Sequence, residues 1–374
     1  MMFRRTVWRV VLTATVLLAA APSARQATQK PPQSPPTDKP WPEPAVMADR
    51  KREAERRRLF RSNDPLPVRL KADFRAVNRD RDPKSEVMFP ATIEFSANDG
   101  STVSVPLKIR TRGHSRRNAG TCSFAPLLLE FDKATVRNTV FDGHGPIKLG
   151  THCRKGSEDV VLREHVLYRA FNLLTPRSFR TRVAKMTYVD ASTGKVTAEE
   201  AGLFIEDDDD VAKRMEGRII ALENATFPRV ERDTLALVML FEYLIGNTDL
   251  SLMVQHNMRL VQTQDTVRYP VPYDWDYSGV VGAGYAVPAR GLPITDVRDR
   301  LYRGPCRTLA EWQPVFEKFR AAKPKILAEF DAEEGLTPSY KRTAKNYLES
   351  GFRVFESPAM VKKELIDTCQ KIGM

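Results

Sequence analysis

Residues 234–279 read TLALVMLFEYLIGNTDLSLMVQHNMRLVQTQDTVRYPVPYDWDYSG, and this stretch organises the rest of the chain. It opens as an apolar helix. Gly246 is a helix stop, so residues 247–255 form a polar loop. Residues 258–261 and 267–271 then alternate well enough for two strands joined at 263–265. That pairing sets Asn257, just before the first strand, beside Asp274, just after the second. Amide and carboxylate oxygens brought together in this way suit magnesium or manganese carrying nucleotide phosphates. Asp249, on the preceding loop, lies near enough to accept a proton from an attacking hydroxyl or to orient it. Asp276, two residues past Asp274, can replace or assist it as a metal ligand, and the sequence leaves that choice open. His256 fits either a third ligand or a hydrogen-bonding group that shapes the loop, and the second reading is taken.

The chain has 374 residues, 42% hydrophobic and 28% charged, in the range of a globular protein with one large domain or two modest ones. Its first 24 residues differ from the rest. Arg4, Arg5 and Arg9 precede an apolar run over 10–21 that ends in small residues, the pattern of a secretory signal peptide. The run is short for a membrane span, so no anchor is expected once it is cleaved. The Arg4–Arg5 pair also fits twin-arginine export, but general secretion is the simpler reading.

The formal net charge is +12. Removing residues 1–24 takes three arginines and no acid, leaving 56 basic against 47 acidic residues, or +9. Much of this excess lies in residues 50–61, and a solvated charged helix accounts for it. Charge alone would also admit nucleic acid as a partner, but export argues against one. In an oxidising compartment Cys122, Cys153, Cys306 and Cys369 are read as two disulfides. Three pairings exist, and proximity favours Cys122 with Cys153 and Cys306 with Cys369. With no C-x-x-C spacing, a zinc site is not expected.

Residues 25–45 are rich in Pro, Gln, Ser and Thr and read as a linker; residues 46–66 follow as a charged leader with a solvated helix. From Pro67 the pattern takes period two: Val68, Leu70, Ala72 and Phe74, then Ala91, Ile93 and Phe95, then Val103, Val105, Leu107 and Ile109. Asn98-Asp99-Gly100 between the last two is a hairpin turn. An antiparallel, strand-rich region over 67–208 is expected, followed by a helix-rich region over 209–374, an α+β chain with the polar stretch near the junction.

Within the first region, Arg112, Gly113 and Ser115 lie on a strand-to-strand loop. Backbone N–H groups and guanidinium forks there can close over phosphates, although a basic surface hairpin has the same composition. Lys148 has apolar neighbours on both sides, and Glu164 on the following helix is the acid able to reach it. An exposed lysine and an exposed glutamate fit that spacing equally. The acidic run 206–210 reads as a solvated loop or a helix N-terminus. Helices are also expected over 158–174, 309–330, 338–356 and 360–372.

GNTD followed by HN, then PYDWDYSG, resembles the spore-coat CotH-type kinases and, more distantly, the HipA-type toxin kinases. RGHSRR, IKLGTHC, VLREHVLYRAFNLL and GLFIEDDDD resemble the CotH N-lobe in the same order, so the likeness covers residues 105–280. It implies a bilobal atypical protein-kinase-like fold using ATP with Mg or Mn. It further implies that Lys148 is the phosphate lysine, Glu164 its ion-pair partner, Glu206 a residue near the adenine hinge and Asp249 the base. Asn257 with Asp274 or Asp276 would be the metal ligands. The expected function is an exported kinase phosphorylating a protein or peptide hydroxyl in the envelope or outside the cell. The alternative is an inactive kinase-like binding or envelope-structural module. A hydrolase using the same carboxylates has no attacking-water or nucleophile signature.

Overall fold

A computed structural model describes residues 40–97 and 99–370. The expected signal peptide, most of the expected linker, Asn98 of the hairpin turn and the last four residues lie outside the described residues. Helix α1 (Pro44–Glu55) comes first. Strands β1 (Leu66–Ala72), β2 (Phe89–Ser96), β3 (Thr102–Thr111), β4 (Leu127–Phe131), β5 (Ile147–Gly150), β6 (Thr181–Asp190) and β7 (Val196–Ile205) then form a closed barrel in the order β1-β2-β3-β4-β5-β7-β6. Every neighbouring pair is antiparallel except β1 and β6, which run parallel from Leu66–Ala184 to Ala72–Asp190 and close the ring.

The α+β composition expected from the sequence holds, but the strand-rich region is a closed seven-stranded barrel. Alternation along β1 shows which face is buried, as its strict buried–exposed pattern confirms. It says nothing of whether a strand more than a hundred residues later will return to β1. Alternating residues of each strand fill the barrel interior, as closure requires. Phe74 continues the period-two pattern only on paper. Asp73 accepts a hydrogen bond from Ala76 N–H and starts α2 (Phe74–Arg79), and the Phe74 ring packs on Phe124 and Tyr188.

Helix α3 (Glu158–Asn172) lies between β5 and β6, and the second half holds α4 (Asp208–Arg214), β8 (Gly217–Ile220), α5 (Arg232–Ile245), β9 (Met258–Thr263), β10 (Arg268–Pro272), α6 (Leu309–Ala332), α7 (Pro338–Glu356) and α8 (Pro358–Val361). Strands β10-β9-β8 make a second sheet. The β6–β7 hairpin separates two cores. Ala184, Met186, Tyr188 and Phe204 face the barrel interior, whereas Val183, Leu203 and Ile205 face the helices. Burial on both faces explains why residues 201–205 are apolar without alternation.

Three other expectations change. Helix α1 is not solvated all round: Met47 and Ala54 are buried, and Arg57 just beyond it forms a buried ion pair with Asp210. Trp41, expected in the linker, lies under the Arg218 guanidinium. The last helix ends early, α8 passing into one π turn over Lys362–Ile366. The acidic run behaves as a helix start, with Asp207 capping α4. Both disulfides, Cys122–Cys153 and Cys306–Cys369, form as proximity suggested and suit an oxidising compartment. Among the described residues no helix is long and apolar enough to cross a membrane.

Candidate functional site

Helix α5 is buried from Thr234 to Ile245, as its continuous apolar sequence dictates. Gly246 ends it in the left-handed conformation, φ 68°. A Cβ there would lie 2.1 Å from the Tyr347 hydroxyl, so close packing as well as backbone geometry selects glycine. Residues 247–257 follow without regular structure apart from a bridge between Ser251 and His256, and side chains fix their course. Asn247 Nδ2 donates to Glu242 Oε2 at 2.7 Å, and the Asp249 N–H donates to Asn247 Oδ1 at 3.1 Å.

Asp249 is about a quarter exposed, its side chain 27% accessible. One carboxylate oxygen meets His256 Nε2 at 3.2 Å and Asn257 Nδ2 at 3.1 Å, and Asn257 Nδ2 also reaches the Asp249 carbonyl at 2.8 Å. His256 therefore shapes the loop, and Asp249 pulls its pKa upward against the effect of burial. Because Asn257 donates through Nδ2, its Oδ1 carries no hydrogen bond from the described residues. The β9–β10 pairing brings the Tyr273 N–H to the Asn257 carbonyl at 3.0 Å and so sets Asp274 beside Asn257. Gln255, Asn257 and Asp274 are three of the seven non-glycine residues at positive φ among the described residues. Such backbone persists only where the surroundings over-determine it, and it concentrates at functional sites.

Asp274 opens a cluster of acids. Its N–H donates to the Tyr168 hydroxyl at 2.9 Å. Asp276 is buried, accepts from the Tyr285 hydroxyl at 2.8 Å and lies 4.0 Å from the Arg116 guanidinium. Glu164 is buried and leaves Oε1 without a hydrogen-bond partner. Burial first, then the charge of Asp274, pushes Asp276 up to about 7 and Glu164 well above the usual carboxylate range. Arg116, held by the Thr151 carbonyl, is the cation that acts on both.

A second, cationic group adjoins at Tyr273. Lys148 projects from β5 opposite the barrel-facing Ile147 and Leu149, within 5.3 Å of the Phe179 and Tyr273 ring centres. It pairs with Asp208, and Arg259 pairs with the other oxygen of the same carboxylate at 2.6 Å. Arg259 also donates to the Tyr273 hydroxyl at 2.6 Å, and Arg112 adds its positive field. Burial lowers the Lys148 pKa, while Lys148 and Arg259 hold Asp208 well below the usual range.

One expected pairing and one expected role are thereby corrected. Glu164 does not pair with Lys148: it faces the acids 274 and 276, and Asp208 takes its place. The expected cofactor role of Glu206 does not suit its side chain, because Arg180 and Arg214 occupy both oxygens of its fully buried carboxylate. Of the loop residues, Gly113 has φ 85° and Ser115 immediately precedes Arg116, whose guanidinium lies 4.0 Å from Asp276. The loop thus reaches the acid cluster.

Four contributors escaped the sequence reading. Glu242, a single acid inside an apolar helix, could have been found from that contrast. Arg116 sits in the RGHSRR run, where nothing distinguishes it from Arg112 and Arg117. Asp208 and Arg259 meet across 51 residues, beyond any local signal. No three His, Cys, Asp or Glu side chains among the described residues converge as a ready metal cage. An Asn with one or two carboxylates and an excess of buried negative charge fits an ion that keeps most of its waters. The orphaned Glu164 Oε1 points the same way.

No family model matches the chain, and no curated protein matches it. Among solved structures it is similar to the Helicobacter pylori proinflammatory kinase CtkA, at 10% identity over 60% of this chain and 88% of that one, with a TM-score of 0.33. A likeness of that size fixes neither fold nor activity, so the reading of this site stays with its own residues.

Proposed function

We propose that this is an exported ATP-dependent phosphotransferase that phosphorylates a protein or peptide hydroxyl, with the barrel as the small lobe and the helices as the large lobe of an atypical kinase-like fold. One observation carries the reading. Three carboxylates, Glu164, Asp274 and Asp276, act on the one buried guanidinium of Arg116, with Asp249 acting on Asp276, while Lys148, Arg112 and Arg259 gather beside them. Separate anionic and cationic halves meeting at Tyr273 are what metal-bound phosphates need.

Asn257, Asp274 and Asp276 would hold magnesium or manganese, with Glu164 behind them; the bound ion supplies neutralisation of phosphate charge. Lys148 and Arg259 present cations to the phosphates, and the loop at Arg112, Gly113 and Ser115 lies over them. Asp249, held by His256 and Asn257 through one oxygen, keeps the other to orient an acceptor hydroxyl and take its proton. The two disulfides and the N-terminal signal pattern favour action in the envelope or outside the cell.

One observation favours the inactive alternative: Lys148 and Arg259 are both engaged by Asp208. Radiolabel transfer from ATP with Mg or Mn, using the mature oxidised protein with Asp249→Ala and Asp274→Ala controls, decides between the two. Transfer lost in both variants supports the enzyme. Nucleotide binding without transfer supports the binding module, and neither binding nor transfer sinks the kinase-like reading.

A further inference from the structure

The loop carrying Asp249 has three external supports. Glu242 and Asn257 belong to the same stretch of chain. The third is Arg303, more than fifty residues away, whose Nη1 donates to the carbonyls of Thr248 and Leu250 on either side of Asp249, the second at 3.1 Å. Together with Asn257 on the Asp249 carbonyl, it leaves no carbonyl of 248–250 without a side-chain donor. Arg303 makes no ion pair among the described residues, although the charges of Asp249 and Glu242 act on it, and its Nε is buried without a hydrogen bond. A half-buried guanidinium spent on two carbonyls is costly to desolvate, so its segment must be held there.

The segment around Arg303 is fastened on both sides. The Tyr302 hydroxyl donates to the Pro305 carbonyl at 3.0 Å, the Gln370 N–H donates to the Gly304 carbonyl at 2.9 Å, and Pro305 bridges Gln370. Cys306, three residues past Arg303, is bonded to Cys369. Gly304 lies so close to α5 that a Cβ would approach Met239 Cβ at 2.9 Å and the Tyr302 hydroxyl at 2.3 Å. The C-terminal end of the chain is thereby tied, through one disulfide and one arginine, to the backbone that aims Asp249.

We infer that Arg303 is a positioning residue for Asp249, and that the Cys306–Cys369 disulfide keeps it in place. Its link to turnover rests on the phosphotransfer reading; its hold on the loop does not. Hydrogen–deuterium exchange of the peptide over 247–257 tests the hold directly, using the oxidised full-length protein, Arg303→Met, Arg303→Lys and Cys306→Ser/Cys369→Ser. Exchange in Arg303→Met should quicken about tenfold in this peptide while the barrel strands stay unchanged. Lysine, with one compact ammonium in place of a fork, should give an intermediate value. The disulfide variant should loosen the same peptide, and combining it with Arg303→Met should add little, the mark of one coupled unit.

On the activity side, kcat should fall by up to about 100-fold with nucleotide KM nearly unchanged. Unchanged exchange in Arg303→Met overturns the proposal, as does loosening spread evenly over the protein. Loosening confined to 247–257 in a protein whose wild type transfers no phosphate keeps the positioning role and removes the phosphotransfer reading instead.

Discussion

The Trp275 indole N–H donates to Glu242 Oε1 at 2.8 Å, so the acid loop at 274–276 hangs from the same buried carboxylate that holds Asn247. One side chain in the last turn of α5 therefore ties the Asp249 loop to the acid cluster. Burial pushes Glu242 from 4.5 up to about 7. A carboxyl raised in the folded state binds its proton more tightly there than in the unfolded chain. Stability from this group is therefore greatest below pH 4.5 and falls as pH rises to about 7, by roughly 3 kcal/mol. Glu242→Gln should remove this part of the pH dependence in thermal melts, while Asp276, Glu164 and Asp207 act in the same sense and the buried His144 and His165 in the opposite one. Glu242→Leu, which leaves both donors unpaired, should cost about 2–4 kcal/mol at every pH. An unaltered slope in Glu242→Gln would show that another group titrates.

Arg57 fastens the leader to α4 through two hydrogen bonds to Asp210, at 2.9 and 3.3 Å. Gly143, at φ 76°, lies directly against it: an added Cβ would sit 1.8 Å from Arg57 Nη1. Arg57→Ala should destabilise by about 3 kcal/mol in chemical denaturation, because Asp210 stays buried with Lys213 as its remaining close partner. Gly143→Ala should cost a similar amount by displacing the guanidinium. The double variant should then cost clearly less than the sum of the two. Full additivity would show that Gly143 is required for its backbone alone.

The elements legible in the sequence were those set by local chemistry. Alternation gave the first three barrel strands, Gly246 gave the end of α5, and the β9–β10 hairpin gave the approach of Asn257 to Asp274. Proximity gave the disulfides. What stayed hidden depends on pairings across long separations. The parallel closure of β1 on β6 has no sequence signature, and neither does the choice Lys148 makes between Glu164 and Asp208. Glu164 follows Lys148 closely in sequence, yet α3 turns it toward residues 274–276, while the start of α4 delivers Asp208 from 60 residues away.

Asp208 sits where phosphates would lie in the proposed site, so its removal should separate two effects. In the free protein, Asp208→Asn strips Lys148 and Arg259 of their shared acid. The melting temperature should drop by the equivalent of about 2 kcal/mol, reduced from the buried-pair range because both cations keep some solvent contact. With Mg–ATP the thermal shift should exceed that of the wild type, since phosphate no longer competes with a carboxylate for the two cations. A smaller shift than wild type would place Asp208 among the groups that bind the ligand.

The choice between Asp274 and Asp276 yields to the same separation. Asp276 is raised to about 7 by burial and by Asp274, so it is largely ionised at pH 8 against its surroundings and largely neutral at pH 5. Asp276→Asn should therefore stabilise the metal-free protein at pH 8 by about 1–2 kcal/mol and leave it nearly unchanged at pH 5. The asparagine oxygen still accepts from the Tyr285 hydroxyl. No protein group hydrogen-bonds the Asp274 side chain among the described residues, but its charge raises Asp276 and Glu164, so Asp274→Asn should also raise the metal-free melt at pH 8 and alter it less at pH 5. Manganese titration followed by thermal shift then identifies the ligand: the variant whose Mn-dependent stabilisation vanishes has lost it. If both variants keep the full stabilisation, neither carboxylate holds the metal and the acid cluster serves another purpose.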